Sequence, residues 1–423
     1  MHNIQDLHLR KDLLPLFDYT CSDTSYDALA AILSEFPVNK AEVQERQAIA
    51  KAFLAHSDVL KPFTYSRAEF HEIRQYMEIL RNRDTREHPN AIRLRFLFDR
   101  TSLHRERGQL TLLCIFLHKI NQAWFRPLDA TIFPGEFADG IQDMREMFNI
   151  LEVEKHQEVA RQKGLSLGTV VHLLDRINDR INNGQMERCW QHFNRFEAWL
   201  SIARGIDRHG FTFPVLTDTH IRIRDFYHPI LRQPVKNSIE VHGNTILITG
   251  PNMSGKSTLL RSIGICVVLT ALGLAVPAAE CELPLFDRIS ISIDLHDDLH
   301  SGYSHFMNEV VSLKNVVTVA ASGQKVFAIF DELFRGTNPE DALAISTTTI
   351  KGLTRFPDSV FFISTHLHQL QSRLDLSRIS TYHIECALDE NHPRFTYRLR
   401  DGWSDIRIGQ LIFEKEGLNA LLS

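Results

Sequence analysis

The sequence lacks several features that would place it in a specialised class of protein. Its six cysteines are far apart and form no C-x-x-C pair, which argues against a disulfide framework or a zinc ribbon and favours a reducing cytosol. The N-terminus has no basic segment followed by an apolar one, so we expect no signal peptide. The most apolar run, residues 263–279, is too short and too rich in glycine and proline for a membrane span. These absences predict a soluble, cytoplasmic protein.

An excess of positive charge is also missing. The net charge of −5 over 423 residues excludes a generally basic surface, so any DNA contact must come from a local patch. Long helical periodicities occupy the chain up to about residue 215, after which short β-branched runs alternate with helical ones. We predict an all-α domain at 1–215, packed against an α/β domain at 216–423 whose strands include 244–249, 288–293, 325–330 and 359–364.

The most informative segment is a phosphate-binding loop that follows the pattern G-x-x-x-x-G-K-[ST]. A strand-like run precedes it and a helix-like run follows it, so backbone N–H groups and the positive end of a helix would face a polyphosphate. Lys256 would neutralise phosphate charge, and the Ser257 hydroxyl would bind Mg²⁺. We therefore predict a nucleoside triphosphate site. Its expected nucleotide-binding residues are Gly250, Pro251, Asn252, Met253, Ser254, Gly255, Lys256, Ser257 and Thr258.

Two further strand ends carry candidate catalytic residues. The run 325–330 ends in Asp331 and Glu332, which we assign as the Mg²⁺-side carboxylate and the general base that accepts a proton from the attacking water. The run 359–364 leads to His366 at the same predicted edge of the sheet. A histidine there is placed to hydrogen-bond the γ-phosphate or the attacking water. We assign it a catalytic role.

Several segments, in order, resemble the MutS family of mismatch-repair ATPases. The match covers residues 220–418, and the N-terminal half resembles the family's helical core and lever more loosely. The phosphate loop is the most restrictive segment, because Gly250-Pro-Asn-Met253 is much rarer than the general pattern. The other segments are Tyr227-His-Pro229 with Asn237, Asp297-Asp-Leu to Phe306-Met-Asn-Glu309, Asp331-Glu-Leu-Phe-Arg-Gly-Thr337, Ser364-Thr-His366, and the closing segment 402–418.

The resemblance implies a P-loop NTPase of the ABC-ATPase type that uses ATP and Mg²⁺ and acts as a homodimer with composite sites. Asn252 would help to position the attacking water, and Ser304 would reach the γ-phosphate of the other subunit. The family usually has Ser-Thr where this chain has Ser304-His305, so the second trans contact is open. An aromatic residue that stacks on adenine is missing near 234–237, and Tyr227 is the available substitute.

The same resemblance leaves no counterpart for the mismatch-recognition and connector domains. The family's mismatch probe is a Phe-x-Glu tripeptide, and this chain has Phe70-His-Glu72 in a helix-like stretch without the expected glycine-rich segment before it. We interpret it as helix surface. We therefore expect a shortened MutS-like ATPase that binds or clamps DNA structure without discriminating mismatches.

An arginine-rich stretch is the candidate DNA contact. Residues 81–107 contain eight arginines and four acidic residues, a surplus suited to phosphate backbone contacts that carry no base identity. The alternative is a solvated helix face with some ion pairs, in which case the protein would be an ATP-switched interaction scaffold without direct DNA binding. The candidate DNA-binding residues are Arg93, Arg95, Arg100, Arg105 and Arg107.

Overall fold

The computed structural model describes residues 2–83, 88–162, 164–293, 305–334, 336–389, 392–404, 413 and 422. The chain forms two compact units, each discontinuous in sequence. The helical unit comprises Leu16–Glu35 and Gln44–Arg208, and the α/β unit comprises Met1–Pro15, Phe36–Val43 and His209–Ser423. The expected order, an all-helical region followed by an α/β domain, is confirmed. The domain limits 1–215 and 216–423 stay a prediction.

The helical elements follow the apolar periodicity of the sequence, and several begin at a side-chain cap such as Ser22 or Ser166. The α-helices are α1 (Leu14–Phe17), α2 (Asp23–Ser34), α3 (Lys40–Leu54), α4 (Ser57–Leu60), α5 (Arg67–Arg81), α6 (Pro89–Phe98), α7 (Arg100–Ile120), α8 (Gly135–Ile150), α9 (Val153–Gln162), α10 (Leu167–Asn182), α11 (Gln185–His209), α12 (Lys256–Ala271), α13 (His305–Ala321), α14 (Pro339–Leu353) and α15 (Leu370–Arg373). Short 3₁₀ or π turns span Gln5–Leu7, Leu9–Leu13, Asn121–Phe125, Ala130–Ile132 and Leu376–Arg378.

The strands of the α/β unit form two sheets. They are β1 (Val215–Thr217), β2 (Ile221–Phe226), β3 (Asn237–Val241), β4 (Thr245–Thr249), β5 (Glu280–Pro284), β6 (Arg288–Ser292), β7 (Val326–Phe330), β8 (Val360–Thr365), β9 (Ser380–Asp389) and β10 (His392–Asp401). The larger sheet has the order β10-β9-β4-β8-β7-β6, and the smaller one has the order β1-β5-β2-β3. The four predicted strands are confirmed as β4, β6, β7 and β8, whereas the smaller sheet and the β9–β10 hairpin were not predicted.

The larger sheet places the predicted site residues on one edge. Strands β9, β4, β8, β7 and β6 are parallel, and only β10 runs antiparallel to its neighbour β9. Every residue of β4, β7 and β8 is buried, as expected for central strands covered on both faces. Because β4, β8 and β7 are adjacent and parallel, the segments that follow them meet at their carboxyl ends.

The helical unit has an aromatic core that includes the suspected mismatch probe. Phe70, on α5, is only 5% exposed. Its ring lies 5.7 Å from the rings of both Phe116 and Phe193, and 5.9 Å from Trp190. The interpretation of Phe70 as helix surface is therefore wrong, since its side chain is part of the core. The neighbouring His71 and Glu72 are exposed.

The apolar run that follows the phosphate loop is also buried. It forms α12, whose residues from Ile263 to Thr270 are all buried. In the part of the chain that the structure describes, no helix combines the length and the apolar character needed to cross a membrane. All six cysteines are buried and free.

Candidate nucleotide-binding site

The phosphate loop connects β4 to α12 with two glycines in left-handed conformations. Gly250 has φ 144° and Gly255 has φ 95°, values that L side chains rarely adopt. Gly255 is the N-cap of α12, so the loop leads directly into a helix N-terminus, where the first backbone N–H groups lack intrahelical partners and can bind an anion. A Cβ at Gly255 would also lie 3.1 Å from the ring of Tyr397. Both constraints explain why glycine occupies this position.

Lys256, the first residue of α12, points back under the loop. Its side chain is 4% exposed, and Nζ donates to the carbonyl oxygens of Gly250 and Pro251, both at 3.1 Å. Nζ also lies 3.1 Å from Oε1 of Glu332, at the end of the strand two places away in the sheet. This buried ion pair joins the loop to the predicted general base.

Asp331 lies where two hydroxyl groups converge. Ser257 Oγ donates to its Oδ2 at 2.5 Å, and Ser364 Oγ, from β8, donates to its Oδ1. The backbone N–H of Asp331 donates to the carbonyl of Ser292 at 3.0 Å, which fixes the turn after β7 against β6. Sequence reasoning missed the contribution of Ser364, because nothing in Ser364-Thr-His366 indicates which side chain faces β7.

Glu332 sits in a backbone conformation that non-glycine residues avoid. Its φ is 52°, in the left-handed region that costs an L residue about 1–2 kcal/mol. The backbone N–H of Glu332 donates to Ser364 Oγ at 2.9 Å, and its carboxylate is buried between Lys256 and His366. The Nδ1 atom of half-exposed His366 lies 3.6 Å from Oε2. A residue that is held in a strained backbone conformation by several surrounding contacts is typical of functional sites.

A cleft of about 310 Å³ adjoins the loop. Its lining includes Tyr227, His228, Asn237, Gly255 and Thr258, with Tyr397 from the β9–β10 hairpin. Burial raises the pKa of Tyr227 and lowers that of His228, so both side chains are neutral at pH 7. The floor of the cleft is therefore uncharged and largely apolar, as a site for a nucleoside base requires.

Tyr397 is the residue that sequence reasoning did not find. It lies at an irregularity in the pairing of β10 with β9, with φ 56° and about half of its surface exposed. Asn237 holds it there: Nδ2 donates to the Tyr397 carbonyl at 3.0 Å, and Oδ1 accepts from the Leu399 N–H at 2.8 Å. An aromatic ring therefore stands beside the loop although none occurs near 234–237.

The remaining predicted residues of the loop differ in exposure. Asn252, Met253 and Thr258 face solvent, and Ser254 is buried beneath the loop. Met253 has φ 68°, so the outer side of the loop also contains a left-handed residue. Ser304 and Arg335 lie outside the described residues.

The donor set fits a nucleotide with Mg²⁺. Mg²⁺ commonly takes one or two protein oxygens and fills its remaining positions with water and phosphate oxygens. Ser257 and Asp331 supply one hydroxyl and one carboxylate beside the loop. Among the described residues no cluster of three or more His, Cys, Asp or Glu side chains could hold a metal by itself, so phosphate oxygens would have to complete the shell.

The candidate DNA-binding arginines lie on two consecutive helices of the helical unit. Arg93 and Arg95 belong to α6, and Arg100 and Arg105 belong to α7; all four are exposed. Arg107 is half-buried. Arg83, which contributed to the arginine surplus, is bonded through Nη1 to the buried Glu106 at 2.5 Å.

The sheet order, the glycine loop and the carboxylates at its edge define a P-loop ATPase domain. The same part of the chain, residues 246–419, matches the family profile for MutS domain V. The chain thus carries a MutS domain V and is homologous to MutS proteins over about half of its length.

The relatives that support this assignment are bacterial proteins described as "DNA mismatch repair protein MutS". That of Shouchella clausii (strain KSM-K16) is 32% identical over 235 residues, which are 53% of this chain and 27% of the relative. That of Bacillus thuringiensis (strain Al Hakam) is 33% identical over 226 residues, 51% of this chain and 25% of the relative. That of Bacillus mycoides (strain KBAB4) is 33% identical over 241 residues, which are 54% of this chain and 27% of the relative. The match spans about a quarter of each relative's length.

Proposed function

We propose that this protein binds ATP with Mg²⁺ at the loop and hydrolyses it to ADP and phosphate. The observation that carries the proposal is the convergence of Lys256, Ser257 and Asp331 with Glu332 at the carboxyl ends of β4 and β7, the two neighbours of β8. A lysine, a hydroxyl and two carboxylates around a glycine loop are the groups that phosphoryl transfer to water needs.

Each residue has a distinct proposed role. Lys256 would exchange its bond to Glu332 for phosphate oxygens, and Ser257 and Asp331 would hold Mg²⁺, which supplies positive charge to the β- and γ-phosphates. Glu332, released from Lys256, would accept the proton of the attacking water. His366 and the exposed Asn252 would orient that water from the open side of the site.

We further propose that the protein acts as a homodimer in which Ser304 of one subunit completes the site of the other. The exposed outer side of the loop, at Asn252 and Met253, leaves room for such a contact. Sedimentation of the Glu332→Gln variant with and without ATP tests it. ATP should favour the dimer, and Ser304→Ala should weaken that effect; a strictly monomeric, fully active enzyme would rule out the composite site.

The relationship to mismatch repair holds at the level of the family, and we propose that this chain also acts on DNA. Four exposed arginines on α6 and α7 support backbone contacts without base identity. Glu106, next to Arg105 in the sequence, is buried and paired with Arg83.

Two assays test the proposal. Phosphate release should require Mg²⁺ and be lost in Lys256→Ala, while Lys351→Ala, an exposed lysine on α14, should match the unchanged protein. Binding to duplex, branched and single-stranded DNA should fall steeply with salt. The double variant Arg100→Ala, Arg105→Ala should reduce the slope of the logarithm of the binding constant against the logarithm of the salt concentration by about one to two. ATP hydrolysis without binding to any DNA would favour the interaction scaffold instead.

A further inference from the structure

Helix α6 presents an apolar stripe to solvent. Its buried face is formed by Ile92 and Phe96, one turn apart. On the opposite side Leu94, Leu97 and Phe98 are 58%, 59% and 86% exposed. The spacing i, i+3, i+4 places these three side chains next to one another on a helix, so they form one continuous stripe. Large apolar side chains exposed together in this way mark an interaction surface.

Arginines lie next to the stripe. At 100° per residue, Arg93 lies beside Leu97, and Arg95 lies on the other side of the helix, where its guanidinium is 5.2 Å from the ring of Phe96. Arg100 and Arg105 are exposed on α7 and extend the positively charged surface beyond α6.

Few acidic residues offset these arginines. Residues 88–107 contain only two, Asp99 and Glu106. Asp99 caps α7 by accepting from the Ser102 N–H at 2.9 Å. Glu106 is buried, where it accepts from Tyr76 and Arg83, both at 2.5 Å. The exposed side chains of residues 88–107 therefore carry a surplus of positive charge, with Arg93, Arg95, Arg100 and Arg105 against Asp99.

We propose that this stripe binds unpaired bases of nucleic acid, with Phe98 as the stacking side chain. A ligand that matches the surface must be a polyanion that also offers flat apolar faces. Single-stranded or branched DNA offers both, because arginines hold its phosphates while aromatic rings stack on its exposed bases. A paired duplex hides those faces within its stack. Three apolar side chains on a helix of ten residues bury too little surface to anchor the protein to a bilayer.

This inference rests on the proposed DNA function and refines it: the protein should prefer unpaired to fully paired DNA. The test is fluorescence anisotropy with a labelled single strand, a forked duplex and a blunt duplex at one salt concentration. Phe98→Ala should weaken binding to the single strand and the fork about tenfold and to the blunt duplex less than twofold. Val38→Ala, an equally exposed apolar side chain of the α/β unit, is the matched control and should change neither.

A second variant reports on stacking directly. In Phe98→Trp the indole fluorescence should be quenched by the single strand and much less by the blunt duplex. If wild type binds all three DNAs equally and Phe98→Ala changes nothing, the inference is overturned and the DNA proposal stands. If no DNA is bound, both are overturned. If Phe98→Ala leaves DNA binding intact but abolishes self-association or binding to an acidic peptide, the stripe is a protein interface and the inference is again overturned.

Discussion

Lys256 and Glu332 form an ion pair that is almost completely buried, with 3.1 Å between Nζ and Oε1 and exposures of 4% and 5%. Each charge is costly to bury alone, so each stabilises the other in place. A nucleotide phosphate that binds Lys256 must compete with this carboxylate. We therefore expect phosphate binding at Lys256 to release the proposed general base.

The first prediction concerns that coupling. Glu332→Gln removes the negative charge that competes for Lys256, so ATP should bind at least as tightly as in the unchanged protein. Turnover should fall by about two to four orders of magnitude, because the amide cannot accept the proton. Binding of a fluorescent ATP analogue and single-turnover phosphate release measure the two effects separately.

The control for this variant is Glu340→Gln, an exposed glutamate at the start of α14. It should leave both quantities unchanged. Unchanged turnover in Glu332→Gln would remove Glu332 from the mechanism, and a loss of ATP binding would contradict the competition with phosphate.

The second prediction concerns Ser364, which donates to Asp331 and accepts from the Glu332 N–H. Ser364→Ala removes one hydrogen bond from Asp331 and leaves the Glu332 N–H only the Ser364 carbonyl, at 3.2 Å, as acceptor. We expect a higher Mg²⁺ concentration for half-maximal activity and turnover reduced about tenfold, with nucleotide binding retained.

A Mg²⁺ titration of the ATPase rate measures the effect, and Ser364→Thr, which keeps the hydroxyl, should restore most of it. Ser372→Ala, at an exposed serine on α15, is the control. An unaltered Mg²⁺ dependence in Ser364→Ala would show that Ser364 does not position the metal-side carboxylate.

The parts of the fold that could be predicted from sequence are those in which burial determines the residue pattern. Strands β4, β7 and β8 are fully buried and mostly apolar, and parallel pairing brings their ends together whatever the rest of the chain does. The β9–β10 hairpin alternates polar and apolar residues and contains an irregular register, so its pattern was weak and Tyr397 was missed. Ser364 on β8 bonds Asp331 at the end of β7. Such a contact between strands depends on the side-chain rotamer, which the sequence pattern does not indicate.

The third prediction concerns Tyr397. If its ring forms one wall of the base pocket, Tyr397→Ala should weaken ATP binding about tenfold, the scale of one base–aromatic stack, while Tyr397→Phe should be close to the unchanged protein. Inorganic triphosphate, which has no base, should bind both variants equally. Isothermal titration calorimetry measures all of these affinities.

Tyr26→Ala, a partly exposed tyrosine of the helical unit, is the control for loss of an aromatic side chain. Equal loss of ATP and triphosphate binding in Tyr397→Ala would indicate that Tyr397 only supports the conformation of the loop at Gly255, which its ring contacts.

The misplacement of Phe70 has a physical explanation, since a signal for burial was present. Phe70, Ile73, Met77 and Leu80 follow helical spacing and are all buried on α5. That spacing places Phe70 on the buried face of α5. The comparison with a mismatch probe considered Phe70-His-Glu72 as a whole, and the other two residues, His71 and Glu72, lie on the exposed face.

The last prediction follows from that burial. A mismatch probe inserts an exposed aromatic side chain at a base step, and Phe70 is enclosed by Phe116, Trp190 and Phe193. Phe70→Ala should therefore leave a core cavity and lower the free energy of unfolding by about 3–5 kcal/mol. Affinities for a G·T mismatch and its G·C parent should stay equal to each other. Urea denaturation and anisotropy measure the two effects, with the exposed His71→Ala as control. A tenfold preference for the mismatch that Phe70→Ala abolishes without loss of stability would instead identify Phe70 as the probe.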